Sequence, residues 1–161
     1  MAVDVFIKIK GIEGESQDER HKGEIDVLSW SWGMSQGAKF GAGGGGGAGK
    51  VSIQDLSFTK YIDCASNALM LACCKGTHIA EATLVVRKAG DKPLEYIKLV
   101  LSNVLVSTLT NGGSSGQERP TESVALNFEQ YRFEYVTQTA AGAGSGARTA
   151  GWNLSMNSAV G

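Results

Sequence analysis

The sequence predicts a mainly β protein that carries one helix on the side of its strands. Apolar and polar residues alternate over most of the chain, one short segment repeats at helical spacing, and glycine-rich turns separate the alternating segments. Two alternating segments change phase along their length, which is typical of a β-bulge or of a strand that bends at a corner. Strands with such corners favour a closed barrel or an orthogonal sandwich over a flat sheet.

The first strands are defined by the residues that share a face. The N-terminal strand places Val3, Val5, Ile7 and Ile9 on one face. A second strand is predicted over residues 24–32, with Ile25 and Val27 on one face and Leu28, Trp30 and Trp32 on the other.

Later strands show the two phase changes. Val51 and Ile53 are followed by a shifted pair, Leu56 and Phe58, and Val124, Leu126 and Phe128 are followed by Tyr131, Phe133 and Tyr135. Further strands are predicted at 81–88, 94–106 and 152–157. Residues 99–106 are apolar on both faces, so we expect either the helix or a neighbouring subunit to cover the outer face.

The helix is predicted over residues 64–75, where Ala65, Ala68, Leu69 and Ala72 recur at helical spacing. Asp63 or Ser66 can serve as its N-cap. Gly76 stands where a left-handed residue commonly ends a helix, and Lys75 suits the negative end of the helix dipole.

Length and composition limit the possible functions. The 161 residues fit one domain, 1–161, and a net charge of −1 gives no field that would gather nucleic acid or anionic lipid. The N-terminus has no uninterrupted apolar stretch of a secretory signal, and no segment approaches a membrane span, so we expect folding in the cytosol without membrane insertion. The three cysteines, Cys64, Cys73 and Cys74, are expected to be small, partly buried residues.

Three glycine motifs match catalytic or nucleotide-binding patterns but lack the required context. Residues 44–50 fit a phosphate-binding loop, yet Val51 replaces the needed Ser or Thr and a strand pattern follows. Residues 112–116 fit a hydrolase nucleophile elbow, and residues 142–147 a dinucleotide fingerprint, but neither lies between a strand and a helix. Since no metal-ligand spacing is present either, the sequence predicts no cofactor, no metal and no enzymatic activity.

The strongest signal is a resemblance to one family. The segment Glu24-Ile25-Asp26-Val27-Leu28-Ser29-Trp30-Ser31-Trp32-Gly33 resembles the E-I-x-V-x-x-W-x-W-G signature of the haemolysin-coregulated protein family, Hcp. Residues 51–63, the N-terminal 4–9 and the late Gly151-Trp152-Asn153 are also similar to it, in order and over essentially the whole chain.

This resemblance implies a closed antiparallel β-barrel with one lateral helix and a long glycine-rich extended loop. It also implies homo-hexameric rings that stack as the inner tube of a type VI secretion apparatus and leave the cell by a route that needs no signal peptide. The implied partners are small effector proteins in the ring lumen, for which the ring acts as receptor and chaperone, and the sheath and spike or tip proteins.

Two loops are candidate sites under this resemblance. Residues 37–49 occupy the position of the extended loop that reaches the next ring, which makes Gly37, Lys39, Phe40, Gly43, Gly46 and Gly49 the candidate ring-stacking residues. Residues 112–116 look like a loop beside the lumen, which makes Gly112, Ser114 and Ser115 the candidates for cargo contact, with an inert solvated turn as the alternative.

Two other functions stay open at the level of sequence. The first is a monomeric β-barrel that binds a small ligand, which predicts one subunit mass in solution and an apolar cavity. The second is an enzyme of unrecognised type, which predicts activity that depends on Ser114 or Cys73.

Overall fold

A computed structural model describes residues 2–38, 50–90, 92–138 and 144–161. The strands and the helix, in chain order, are β1 (Val3–Ile9), β2 (Ile25–Asp26), β3 (Ser29–Ser31), β4 (Met34–Gln36), β5 (Val51–Ile53), β6 (Leu56–Tyr61), α1 (Ser66–Lys75), β7 (Ile79–Lys88), β8 (Leu94–Gly112), β9 (Thr121–Gln138), β10 (Gly144–Asn153) and β11 (Ser158–Ala159). Within the described ranges the chain is therefore mainly β with one helix, as the sequence predicts.

Most strands belong to one antiparallel sheet. Its order is β11-β10-β9-β8-β7-β1-β2, and β6 pairs with the first half of β9 on one side and with β3 on the other. β4 and β5 form a separate hairpin. The core lies against the sheet and under α1, and its fully buried residues include Ile7, Leu69, Leu84 and Leu101.

Both predicted phase changes are present in the structure. The first falls between β5, which belongs to the hairpin, and β6, which belongs to the large sheet. The second falls near Glu129 of β9, opposite Asn103 of β8, which has a left-handed φ of 54°. The alternation of buried residues in β8 changes phase at the same place, because Leu101 before Asn103 and Val104 after it are both fully buried.

The apolar character of both faces of residues 99–106 therefore comes in part from this shift. α1 packs on the core side, since Leu69 and Ala72 share the core cluster with Leu101. Val100 and Leu105 on the other side are half-buried within one chain. Covering of that side by a neighbouring subunit stays a prediction.

Several boundaries differ from the predicted ones. The strand predicted over 24–32 is split into β2 and β3, and β8 continues to Gly112. The strand predicted over 152–157 is wrong: β10 covers Gly144–Asn153 and pairs with β9, because a run of small residues hides its alternation.

The predicted N-cap of the helix is also wrong, whereas its C-terminal end is confirmed. Ala65 occupies the N-cap position, while Asp63 Oδ1 accepts the Ala65 N–H and Ser66 Oγ accepts the Asp63 N–H. Gly76 has a left-handed φ of 62° and its N–H reaches the Cys73 carbonyl.

Candidate assembly site

A buried ion cluster fixes the base of the candidate cargo loop. Lys60 of β6 is fully buried, and its Nζ lies 2.5 Å from Glu122 Oε1 and 2.8 Å from Asp63 Oδ1. Ser66 Oγ donates to Glu122 Oε1 at 2.7 Å, and Asn111 Nδ2 donates to Oε2 at 3.0 Å. The cluster joins β6, β8, β9 and the start of α1, and its two carboxylates around one ammonium leave a formal charge of −1.

The loop itself is exposed. Asn111 and Glu122 face each other in the β8–β9 register, and so do Gly112 and Thr121, so the ion cluster lies directly beneath the loop. Ser114 and Ser115 are exposed, and the Ser114 carbonyl accepts the Gln117 N–H at 3.0 Å. The structure thus places Gly112, Ser114 and Ser115 together on one anchored turn.

The candidate stacking loop is described only at its base. The β4–β5 register pairs Met34 with Ile53 and Gln36 with Val51, and the exposed Gly37 follows directly. The other candidates, Lys39, Phe40, Gly43, Gly46 and Gly49, lie outside the described residues.

Aromatic residues of β9 contact the chain at the start of this hairpin. The Trp32 ring lies 4.7 Å from that of Tyr131 at 70° and 6.1 Å from that of Phe133 at 18°, measured between centroids. Trp30, Trp32 and Trp152 are half-buried and pack against the core. The Tyr131 hydroxyl also donates to Met34 Sδ at 3.8 Å, so aromatic residues of β9 contact both the start of this hairpin and Trp32, which precedes it.

No described group forms a recognisable catalytic arrangement. His21 lies between Glu24 and Glu95, with nitrogen–oxygen distances of 3.0 and 2.6 Å, and His78 contacts Asn103. Neither histidine hydrogen-bonds a serine or a cysteine in the described ranges. Within these ranges no cluster of His, Cys, Asp and Glu could hold a metal ion, and no helix is long and apolar enough to cross a membrane.

A second charged group lies at the β1–β2 end of the sheet. The buried Arg87 donates to Asp18 Oδ1 and Oδ2 at 3.0 and 2.6 Å and to Asp4 Oδ2 at 3.0 Å. The hydrogen bond from Arg87 lowers the pKa of Asp18 from 3.8 to about 2. Ionised Asp18 therefore stabilises the fold at pH values above its unfolded pKa, and this contribution is lost as the pH falls through the folded pKa.

We expect Arg87→Gln to make the free energy of unfolding depend less steeply on pH in acid. Without the guanidinium, Asp18 should titrate nearer its unfolded value, so the free energy of unfolding should fall less steeply between about pH 4 and 2. Urea unfolding at several pH values measures this, with the exposed Arg132 changed to Gln as the matched control. An unchanged slope in Arg87→Gln would contradict the assignment.

Sequence reasoning missed the ion cluster, although its signal is present. Lys60 continues the buried phase of Leu56 and Phe58, and Glu122 begins the buried phase that leads to Val124. A lysine and a glutamate in the inward phase of two strands predict a buried pair once those strands are known to be neighbours.

The described part of the chain is a mainly β fold that exposes several large apolar side chains, among them Leu28, Leu71 and Met156, as a subunit of a larger assembly does. Residues 6–135 match the family described as "Type VI secretion system effector, Hcp". The chain is 54% identical over 159 residues to Protein hcp1 of Pseudomonas aeruginosa, with 98% of each chain covered.

Solved structures agree with this match. Hcp1 from Salmonella typhimurium is 42% identical, covers 99% of this chain and 100% of its own, and has a TM-score of 0.83. A type six secretion system protein is 32% identical with the same coverage and a TM-score of 0.91. The chain belongs to the Hcp family, and it is a structural tube subunit of type VI secretion.

Proposed function

We propose that six copies of this chain form a ring, that rings stack into a tube, and that the assembled tube is secreted without a signal peptide. The observation that carries this proposal is the 54% identity to a curated Hcp protein over 98% of both chains. Sheath and tip proteins of the apparatus would then contact the tube, and effectors would occupy its lumen.

We further propose that residues 1–161 form one domain whose strands close into a barrel. The segment that holds β2 and β3 bonds to both sides: Val27 N–H donates to the Val5 carbonyl at 3.0 Å, and Leu28 N–H donates to the Thr59 carbonyl at 2.8 Å. Pairing also runs from β6 through β9, β8 and β7 back to β1. This circuit of hydrogen bonds supports closure.

Within the ring, we assign cargo contact to the turn that holds Gly112, Ser114 and Ser115. It is exposed, its hydroxyls can donate or accept hydrogen bonds, and the buried ions beneath it hold its base in place. A receptor surface needs such fixed polar groups.

Light scattering and electron microscopy test the assembly together. The full chain should have the mass of six 16.9 kDa subunits, about 101 kDa, and should form tubes at high concentration. Removing residues 42–48 should keep the ring mass and greatly reduce stacking, because the hairpin base Met34–Gln36 and Val51–Ile53 remains.

A variant in which residues 42–48 are replaced by serines is the matched control for length. A single-subunit mass at high concentration would overturn the ring and favour a monomeric barrel that binds a ligand. Normal tubes from the shortened chain would overturn the stacking role of the loop but leave the ring intact.

A further inference from the structure

The core face of the large sheet is uncovered at its β9–β10 end. One cross-strand row consists of Leu84, Leu99, Phe133 and Ala150. Its first two residues are fully buried, Phe133 is half-buried and Ala150 is exposed. The face that buries the core in β7 and β8 therefore continues into solvent at β10.

The next cross-strand row is also exposed at β9 and β10, and it contains the cationic side chain of Arg148. Tyr135, which is 40% exposed, lies opposite Arg148 of β10 in the register. The exposed Arg148 has neither an ion pair nor a side-chain hydrogen bond within the described part of the chain. Lys98 and Arg132, by contrast, lie on the other face of the sheet, and Arg132 pairs with Glu134.

Among the described strands, β10 also has one edge without a paired neighbour over most of its length. From Gly144 to Ala150, the described strands pair with it only on the β9 side, and β11 begins to pair at Trp152. This edge contains neither proline nor lysine, which are common means of preventing pairing between edge strands. Seven residues of strand extend over roughly 23 Å.

The surface around β1 and β2 has complementary charge. The exposed Asp26 of β2 has no ion pair or hydrogen-bonded partner for its carboxylate within the described ranges. It lines a cleft with Val3, Asp4, Asp18 and Arg87, and the Arg87 guanidinium is already paired with Asp4 and Asp18. Desolvation, followed by repulsion from Asp63 and Asp18, raises the pKa of Asp26. Its ionised form is therefore poorly stabilised in a single chain, and an added cation would stabilise it.

Apolar surface lies beside this carboxylate. Val3 lines the same cleft and is 47% exposed, and Leu28, two residues after Asp26, is 48% exposed. The β9–β10 surface therefore presents the Tyr135 ring beside the Arg148 guanidinium. The β1–β2 surface presents apolar side chains beside the Asp26 carboxylate, so the two surfaces are complementary in charge and both partly apolar.

We propose that the β9–β10 end of one copy docks on the β1–β2 end of the next copy, with Arg148 paired to Asp26. This inference rests on the proposed ring. A ring requires a heterologous interface, which joins two different surfaces of the same chain, and these two surfaces lie on strands that do not pair with each other. A guanidinium can hold a carboxylate through two parallel hydrogen bonds, which also fixes the angle between subunits.

Charge reversal tests the pairing directly. Arg148→Asp and Asp26→Arg should each raise the chain concentration at which half of the rings dissociate by at least about tenfold, because each places like charges together. The double variant Arg148→Asp with Asp26→Arg should return that concentration to within about threefold of the unmodified chain, because the pair is restored in reverse. Sedimentation velocity over a dilution series measures all three.

Lys98→Glu is the matched control, since it reverses an exposed charge on the other face of β8 and should leave ring formation unchanged. Circular dichroism shows that each variant is folded. Rings that survive both single reversals, or single losses that the double variant does not reverse, would overturn the pairing while the proposed ring stands. A monomeric unmodified chain would overturn both.

Discussion

Lys60→Met should lower the free energy of unfolding by about 3–5 kcal/mol, because it leaves buried carboxylates without their cation. Glu122 is fully buried and the Asp63 side chain is 8% exposed, and both contact the Lys60 ammonium. Glu122 would keep its hydrogen bonds from Ser66 and Asn111, but these neutral donors compensate only part of the cost of removing a charge from water. Urea unfolding at one fixed chain concentration measures the loss.

Two variants separate the lost ion pair from lost packing. Lys98→Met removes an exposed lysine from β8 and should change stability by no more than about 0.5 kcal/mol. Adding Glu122→Gln to Lys60→Met should recover part of the loss, because the neutral amide costs less to bury than a carboxylate. A loss below about 1 kcal/mol in Lys60→Met would show that the ammonium does not compensate these carboxylates.

The same change should loosen the candidate cargo turn. Asn111 reaches Glu122 across the last rungs of the β8–β9 ladder, and the turn begins at Gly112. Faster amide exchange at those rungs, with unchanged exchange near Leu84, would show that the buried ions fix this turn locally.

Sequence reasoning worked where one face of a strand or helix is buried. The alternation of Val5, Ile7 and Ile9 predicts β1, and the helical spacing of Leu69 and Ala72 predicts α1 with its end at Gly76. In each case burial on one side leaves a periodic trace in the sequence.

It failed where that trace is absent. β10 consists largely of glycine, alanine and other small residues, and residues 146–150 within it are exposed, so no apolar alternation is visible there. The strand forms because β9 offers a ladder to pair with. The buried Lys60–Glu122 pair cannot be predicted from either segment alone, because it depends on β6 and β9 being neighbours. The positions of Arg148 and Asp26 on different strands of the sheet likewise depend on the strand order. The resemblance to a family predicted the function, whereas the surfaces around Arg148 and Asp26 became visible only in the three-dimensional structure.

Phe58→Ala should be the other large loss, about 3–5 kcal/mol, since a fully buried aromatic side chain is removed and a cavity remains. Phe58 is 1% exposed and pairs with Trp30 of β3 on one side and Val124 of β9 on the other. It therefore lies at the junction where β6 would complete the barrel. Phe58→Leu keeps most of the apolar volume and should cost less than about 1.5 kcal/mol.

Amide exchange in this variant tests whether the Phe58 ring holds both ladders of β6. Weakening its packing should speed exchange at Trp30 and at Val124 together, since both residues pair with Phe58. Faster exchange in β3 alone, with a fully protected β6–β9 ladder, would contradict this. Met156→Ala, which changes a 72% exposed side chain, should affect neither ladder and sets the baseline.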